Sequence, residues 1–396
     1  MWKIKIFIVI ILCDITAYCQ ENPIKDATYH FTIQNEVFIG NGADTLKKYI
    51  QNAQFFLLGE EHNMKELQDF TISVIPFLKT SGYDNLALEI GPIAARKLHS
   101  LYLNKQGLID FNSKYFKHVQ GAPFGFFNGK EEERFSNKAF EEGFNIWGID
   151  FENYNSSLFI LDELFDQSKK STELDDLYKK CQQVIVDSYK KDKADNTHIL
   201  ATTLINSEPI KAFFKKVNTG PKIAEIIRQQ VLSWEIYEQE SKNNWYPRVA
   251  NMKENFAANY KKLLTKRTQP KVFVKLGAVH IARGTSSSGF QELGNMVYEL
   301  SNFNGTKTFS VISFARYRIN SKGEILDLLE KDDAELLEFT SNDSWSVIDL
   351  ARLKKEMEQG KIKLSIEMIS YAQKFDMMLI PPATKYMEPN FNVSDK

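Results

Sequence analysis

Short apolar runs recur along this chain, and they constrain its fold more than any other feature. Each run is rich in β-branched and aromatic residues and has the length of one buried strand; the runs cover residues 54–58, 85–88, 145–149, 271–276 and 308–314. A helical pattern from Asn63 to about Lys79 separates the first two, and another follows from Pro92. Continuous apolar strands that alternate with helices predict an α/β fold with a mostly parallel central sheet flanked by helices.

A long helical segment interrupts this alternation. Residues 156–266 carry helical patterns with charged faces and few turn signals, and the last of these helices leads directly into the fourth strand. We therefore expect a helical insertion beside the sheet, within a single α/β domain that spans residues 20–396. Beyond Tyr317, helical patterns recur at three places: near Glu335, from Val347 to Gln359, and from Ile366 to Phe375.

A segment rich in glycine and phenylalanine, residues 121–137, precedes the third strand. Phe124, Phe126 and Phe127 stand there among glycines, which predicts a long loop. Aromatic side chains in such a loop either line a substrate cleft or pack under a neighbouring helix, and the sequence leaves both alternatives open.

The N-terminus has the layout of a secretory signal peptide. Lysines precede an apolar run that is too short to span a bilayer, and Ala17 and Cys19 stand at positions −3 and −1 of a cleavage site. We expect residues 1–19 to be removed and the protein to be exported to the periplasm or the extracellular space. Lipid attachment through Cys19 is the weaker alternative, because the bulky Tyr18 precedes it. No later stretch reaches membrane-spanning length, so no transmembrane segment is expected in the mature chain.

Charge and cysteine content narrow the possible partners. The formal net charge of −1 provides no basic field, which argues against a nucleic-acid partner. Without the first nineteen residues only Cys181 is left, so an internal disulfide is impossible. Its helical surroundings favour a small buried side chain over a nucleophile.

Polar residues follow four of the predicted strands at the point where each strand ends. Glu60, Glu61 and His62 follow the first strand, Glu89 the second, Asp150 and Glu152 the third, and His280 the fourth. Ligands of open parallel sheets bind outside the carboxyl ends of the strands. The sequence therefore predicts a site for a small-molecule substrate at this rim of the sheet.

His62 is the candidate general base. Asn63 and Glu66 have the spacing of a capping box, which predicts a helix that begins at Asn63. The positive end of the helix dipole disfavours an imidazolium, and a neutral imidazole accepts a proton, while Glu60 or Glu89 would orient the ring. The alternative is that His62 only caps the turn and that the glutamates are solvated.

His280 and Arg248 are the next candidates. His280 stands directly beyond a buried strand, on the predicted rim, although a lone histidine in an apolar stretch is also common in a core. Arg248, Met252 and Asn255 share one face of the last helix of the insertion. Buried Arg and Asn cost free energy unless they are paired, so the strand-end carboxylates are the expected partners. A purely structural Arg–Glu clamp is the alternative.

Four motifs, "LLGEEHN", "LALEIG", "RVANMKENF" and "GAVHIARG", resemble in the same order those of the erythromycin esterase-like family. They also resemble the wider superfamily that includes haem-binding iron-regulated lipoproteins and Tiki/TraB-type proteins. The resemblance runs from about Phe55 to Gly284. The chain departs from the esterase pattern in two places: only one residue separates Glu60 from His62, and the second histidine pair is reduced to His280, with Arg283 nearby.

The resemblance implies an α/β core with a cleft at the sheet rim. It implies that His62 activates water, that Glu60 and Glu89 support it, and that Arg248 and His280 bind the substrate or stabilise the oxyanion. Glu61, Asp150, Glu152 and Asn255 are further candidates for substrate binding.

Three functions are compatible with these residues. The first is a hydrolase of an ester or related bond without a serine or cysteine nucleophile, since "GTSSSG" at 284–289 lacks the spacing of a nucleophile elbow. The second is a metal-dependent hydrolase or protease of the Tiki/TraB type, although no metal-binding motif is present. The third is a haem-binding protein with His62 or His280 as axial ligand. No cofactor is predicted by a specific motif.

Overall fold

The computed structural model describes residues 22–195, 199–217 and 219–392. The predicted signal peptide, residues 1–19, lies outside these ranges. None of the helices within them is long and apolar enough to cross a membrane.

A nine-stranded sheet forms the centre of the molecule. The chain contains strands β1 (Thr28–Gln34), β2 (Val37–Ile39), β3 (Phe55–Glu60), β4 (Tyr83–Leu88), β5 (Asn145–Gly148), β6 (Lys271–Gly277), β7 (Thr308–Ser313), β8 (Tyr317–Ile319), β9 (Ile325–Asp327), β10 (Trp345–Asp349) and β11 (Met377–Ile380). The order across the sheet is β2-β1-β10-β11-β7-β3-β6-β4-β5, and β8 and β9 form a separate hairpin. The five predicted strands are confirmed as β3 to β7.

The sheet is parallel in one part and antiparallel in the other. β5, β4, β6, β3, β7 and β11 run parallel to one another, whereas β10, β1 and β2 continue the sheet beyond β11 in antiparallel fashion. The predicted α/β class with a mostly parallel sheet is therefore confirmed. The antiparallel extension was not predicted.

Helices cover both faces of the sheet. They are α1 (Pro23–Ala27), α2 (Asn41–Asn52), α3 (Lys65–Thr80), α4 (Pro92–Leu103), α5 (Leu108–Val119), α6 (Lys130–Glu141), α7 (Ser157–Asp166), α8 (Thr172–Ala194), α9 (Leu200–Asn206), α10 (Glu208–Val217), α11 (Pro221–Glu240), α12 (Tyr246–Leu264), α13 (Leu293–Phe303), α14 (Ala334–Leu337), α15 (Leu350–Glu358) and α16 (Ile366–Lys374). Helices α7 to α12 lie between β5 and β6, in the segment predicted to be a helical insertion.

Strand β3 shows why the strand sequences are continuously apolar. Phe56 belongs to a core layer that contains Phe70 of α3, whereas its neighbour Phe55 packs against Phe256 of α12 on the opposite face. Successive side chains of a strand point to opposite faces, so a strand with helices on both sides buries every residue.

Three local predictions are wrong. The helix after β3 begins at Lys65 instead of Asn63, because Asn63 is left-handed (φ 69°) and the Glu66 carboxylate accepts hydrogen bonds from residues near the C-terminus instead of capping the turn. Val347 lies in β10, and Asp349 caps the helix that follows. The predicted loop 121–137 ends early, because α6 begins at Lys130.

The final described residues cross the surface as an extended strap. We call residues 384–392 the C-terminal strap. It forms backbone bridges from Tyr386 to Met64, beside the turn after β3, and from Pro389 to Gly129, beside the aromatic loop. The Met387 N–H donates to the Asn63 carbonyl at 3.3 Å. The strap therefore ties together two segments that are far apart in the sequence.

Candidate active site

The ends of four neighbouring strands place the predicted polar residues side by side. β3, β6, β4 and β5 are adjacent in the sheet and parallel, so their carboxyl ends share one edge. Glu60 ends β3, Glu89 follows β4, Asp150 follows β5, and His280 lies in a 3₁₀ turn after β6. The predicted convergence at the sheet rim is what the structure shows.

Glu60 is a buried carboxylate held by three partners. Its Oε2 accepts hydrogen bonds from Lys275 Nζ at 2.5 Å and from Gln68 Nε2 at 3.1 Å, while Oε1 lies 3.3 Å from His62 Nδ1. Burial raises the pKa of Glu60, but the charges and hydrogen bonds of Lys275 and His62 prevail and lower it to about 2. Glu60 is therefore ionised at neutral pH and fixes the orientation of the His62 ring.

His62 is fixed on three sides. Nδ1 faces Glu60, and the Phe126 ring stacks on the imidazole at a centroid distance of 3.9 Å. A Cβ on Gly277 would lie 3.0 Å from Nε2 of His62 and 3.3 Å from Oε2 of Glu89, so only glycine permits this approach without displacement. Asn63 and Phe126 both have positive φ, 69° and 57°, and such backbone strain collects at functional sites.

Glu89 is held by Gly277, Arg248 and His280. Its Oε2 accepts a hydrogen bond from the Gly277 N–H at 2.5 Å, and its Oε1 accepts one from Arg248 Nη2 at 2.8 Å and lies 3.5 Å from His280 Nε2. Burial raises the pKa of Glu89, but His280, Arg248 and His62 lower it well below its usual range. The Glu89 carboxylate therefore interacts electrostatically with His280, Arg248 and His62, which carry or can carry a positive charge.

Arg248 is shared between two strand ends, as the helix pattern predicted. Besides Glu89 it contacts Asp150, with Nη2 2.6 Å from Oδ2 and Nε 3.3 Å from Oδ1. The guanidinium also stands 5.2 Å from the centre of the Phe151 ring. Within the described residues its Nη1 has no hydrogen-bond partner, so that nitrogen can still donate to a bound ligand.

His280 lies between two carboxylates. Nδ1 is 3.1 Å from Oε2 of Glu292, and Nε2 faces Glu89. Burial lowers the pKa of His280, but hydrogen bonds to Glu292 and Glu89 outweigh it and raise the pKa to about 10. Glu292 is itself held by the Ser288 hydroxyl at 2.6 Å. His280 is thus an imidazolium at neutral pH.

Two predicted substrate-binding residues, Glu61 and Asn255, have partners elsewhere in the protein. Glu61 pairs with Arg318 and accepts a hydrogen bond from the Ala315 N–H at 2.9 Å. Asn255 donates to the carbonyls of Ile149 and Asp150 at 3.2 and 3.3 Å, which fixes the chain after β5.

Glu152 is fully buried and faces α4 instead of the cluster. Its carboxylate accepts hydrogen bonds from the N–H groups of Ile93 and Ala94 in the first turn of that helix, at 2.6 and 3.2 Å. A Cβ on Gly91 would overlap the carboxylate at 2.2 Å, so this glycine makes room for it. Glu152 and Asn255 therefore hold the loop that carries Asp150.

The sequence analysis missed two members of the cluster. Lys275 lies inside the apolar strand β6, and a lone lysine in a buried strand is a signal that a carboxylate partner is near. Glu292 has no such signal, because its position opposite His280 depends on the path of the loop after β6. Cys181, by contrast, is buried and free as predicted.

The cluster opens to solvent mainly at His62. The His62 side chain is 29% exposed, against 13% for His280 and 5% for Glu89. Within residues 22–195, 199–217 and 219–392, no three His, Cys, Asp or Glu side chains are grouped as metal ligands.

Comparison of the sequence with protein-family models and with curated proteins gives no match. Comparison of the structure with solved structures gives matches. A protein from Bacillus cereus has 16% sequence identity and a TM-score of 0.53, with 93% of this chain and 98% of the other covered. A mutant of the erythromycin esterase EreC in its open conformation has 12% identity and a TM-score of 0.55, covering 93% and 100%.

A succinoglycan biosynthesis protein has 14% identity and a TM-score of 0.52, with 92% of this chain and 96% of that chain covered. These similarities extend over nearly the whole of each chain. At such low identity they show a shared fold: the chain has the mixed α/β architecture of erythromycin esterase.

Proposed function

We propose that this protein is a hydrolase in which His62 activates water to attack an ester or related bond of a small molecule. The observation that carries the proposal is the pairing of His62 Nδ1 with an ionised, buried Glu60. When Nδ1–H donates to this carboxylate, Nε2 keeps a free lone pair and faces the cluster, where it can take a proton from water.

Arg248 would stabilise the negative charge that develops on the attacked carbonyl oxygen. Its Nη2 and Nε are tied to Glu89 and Asp150, which fixes the guanidinium, while Nη1 is left to donate to the oxyanion. A hydrogen-bond donor that is already held in position stabilises developing negative charge far more in a largely buried site than in water. The imidazolium of His280 adds positive charge behind Glu89.

The shared fold supports this reading, since an erythromycin esterase has the same architecture. Export remains our proposal for the location of the protein, on the strength of the N-terminal sequence, and fractionation of cells that express the full chain would test it.

The activity can be tested with purified protein and a panel of p-nitrophenyl and alkyl esters and lactones, each assayed with and without EDTA. We expect turnover that EDTA leaves intact and that His62→Ala abolishes. His118→Ala, an exposed histidine on α5, is the matched control and should retain full activity. Loss of activity with EDTA would favour a metal-dependent hydrolase, and full activity of His62→Ala would contradict the proposal.

A further inference from the structure

One face of α11 runs along the loop that carries Asp150. Ser233, Tyr237 and Glu240 are spaced i, i+4 and i+7, which places them on the same side of the helix. The Ser233 hydroxyl accepts a hydrogen bond from the Glu152 N–H at 2.9 Å. The ring of Tyr237 meets that of Phe151 edge-on at 4.5 Å. This face therefore reaches the cluster at its last residue, Glu240.

Glu240 is a half-buried residue, and one of its carboxyl oxygens is buried without a hydrogen bond. Within the described residues its Oε1 is shielded from solvent and has no partner. The groups that act on it electrostatically are Asp150 from the loop after β5, Arg248 from α12 and His280 from the turn after β6. The phenol of Tyr237 lies on the same helix face. An unpaired buried carboxyl oxygen is costly, so this one needs an explanation.

We propose that Glu240 is the general acid of this site and donates a proton to the leaving oxygen when the substrate bond breaks. This inference rests on the proposed hydrolase function. Glu60 and Glu89 are unsuited to the role, since cations hold both carboxylates ionised. His280 has both ring nitrogens occupied by carboxylates.

The proton balance closes without any further reactant. His62 removes a proton from water as its oxygen forms a bond to the acyl carbon. The bond between that carbon and the leaving oxygen then breaks, its electron pair goes to the leaving oxygen, and the Glu240 proton joins it. His62 finally releases its proton to water, and the Glu240 carboxylate takes up a proton from water, which restores the starting state. The products are an acid and an alcohol.

The protonation state of Glu240 fits the role. Burial raises the pKa of Glu240 to about 7, with Asp150 adding to the rise while Arg248 and His280 oppose it. A catalytic acid works best when its pKa lies near the working pH.

The test is the dependence of Glu240→Gln on the leaving group. For alkyl esters, whose alkoxide needs a proton, kcat should fall on the order of 10²-fold with KM nearly unchanged. For p-nitrophenyl esters, whose phenolate leaves unprotonated, kcat should change less than about threefold. In the pH profile of the variant, the alkaline limb should disappear for alkyl esters but not for p-nitrophenyl esters. A purely structural role would affect both substrates equally, and that result would overturn the inference.

A matched control and a second measurement separate this inference from the proposed function. Glu238→Gln, on the same helix and bonded to Thr202, should leave both activities unchanged. If no ester is cleaved at all, the hydrolase proposal fails. The protonation state of Glu240 can then be measured by infrared spectroscopy, as the carboxyl band that Glu240→Gln removes. We expect this band at pH 6 and expect it to be lost by pH 8. Its absence at pH 6 would overturn the assignment.

Discussion

His62 and His280 differ in their carboxylate partners and in their exposure to solvent, and these differences suit them to different chemical roles. Both follow buried parallel strands and both contact a glutamate, but His62 has one carboxylate partner and His280 has two. His62 is 29% exposed, and within the described residues its Nε2 has no hydrogen-bond partner. His280 is 13% exposed, and its two glutamate partners raise its pKa to about 10. The number of carboxylates around an imidazole, more than its place in the sheet, decides whether it can act as a base or as a fixed cation.

The largest effect is expected from removing the free imidazole. His62→Ala should lower kcat/KM by about 10²–10⁴-fold, since it removes the proposed general base, with little change in Tm because the side chain is partly exposed. Ester hydrolysis assays and thermal unfolding measure the two quantities. A His280→Ala variant with a larger loss of kcat/KM than His62→Ala would reverse the comparison.

Arg248→Ala should lower both stability and activity. It leaves the buried Asp150 without its cation and Glu89 with only His280, which we expect to cost roughly 3–5 kcal/mol in the free energy of unfolding. Urea denaturation gives this number directly. Arg228→Ala, which breaks an exposed pair with Glu225, should change stability by less than about 1 kcal/mol and serves as the control.

The cationic histidine should leave a signature in the pH dependence of stability. Because folding raises the pKa of His280 from 6.5 to about 10, its contribution to stability is complete below pH 6.5 and is lost as the pH rises through 10. The difference in unfolding free energy between wild type and His280→Gln should therefore shrink between pH 7 and pH 10. A difference that stays constant over this range would mean that His280 is neutral.

The smallest effect should come from Gly277, the glycine beside His62 and Glu89. The Cβ of Gly277→Ala would press on His62 Nε2 and on the Glu89 carboxylate, so we expect roughly a tenfold loss in kcat from a displaced base. Gly220→Ala, where no atom lies within 4 Å of the added carbon, is the control. Equal kinetics of the two variants would show that the tight approach has no role in catalysis.

The core strands, and the convergence of their carboxyl ends at one edge of the sheet, could be predicted from the sequence. A strand buried on both faces must be continuously apolar, and parallel strands bring their carboxyl ends to one edge, so Glu60, Glu89 and His280 follow from local patterns. The short antiparallel strands carry no comparable signal. Glu292 and Glu240 could not be found because their positions depend on how a loop and a helix pack against the sheet.

The capping prediction failed for a related reason. The spacing of Asn63 and Glu66 is local, but Glu66 receives its hydrogen bonds from Thr384 and Lys385 in the C-terminal strap. A distant segment replaced the local cap, and Asn63 adopted a left-handed turn that places His62 beside Glu60.

The strap has a consequence for biosynthesis. Met64 and Gly129 obtain their bridging partners only when Tyr386 and Pro389 have been made. A growing polypeptide on the ribosome can form its early strands before that point, but the turn that carries His62 gains these bridging contacts only after the strap has been synthesised. The strap follows the last strand of the sheet, Met377–Ile380, so the rim that carries His62 would be completed only after every strand of the sheet has been synthesised.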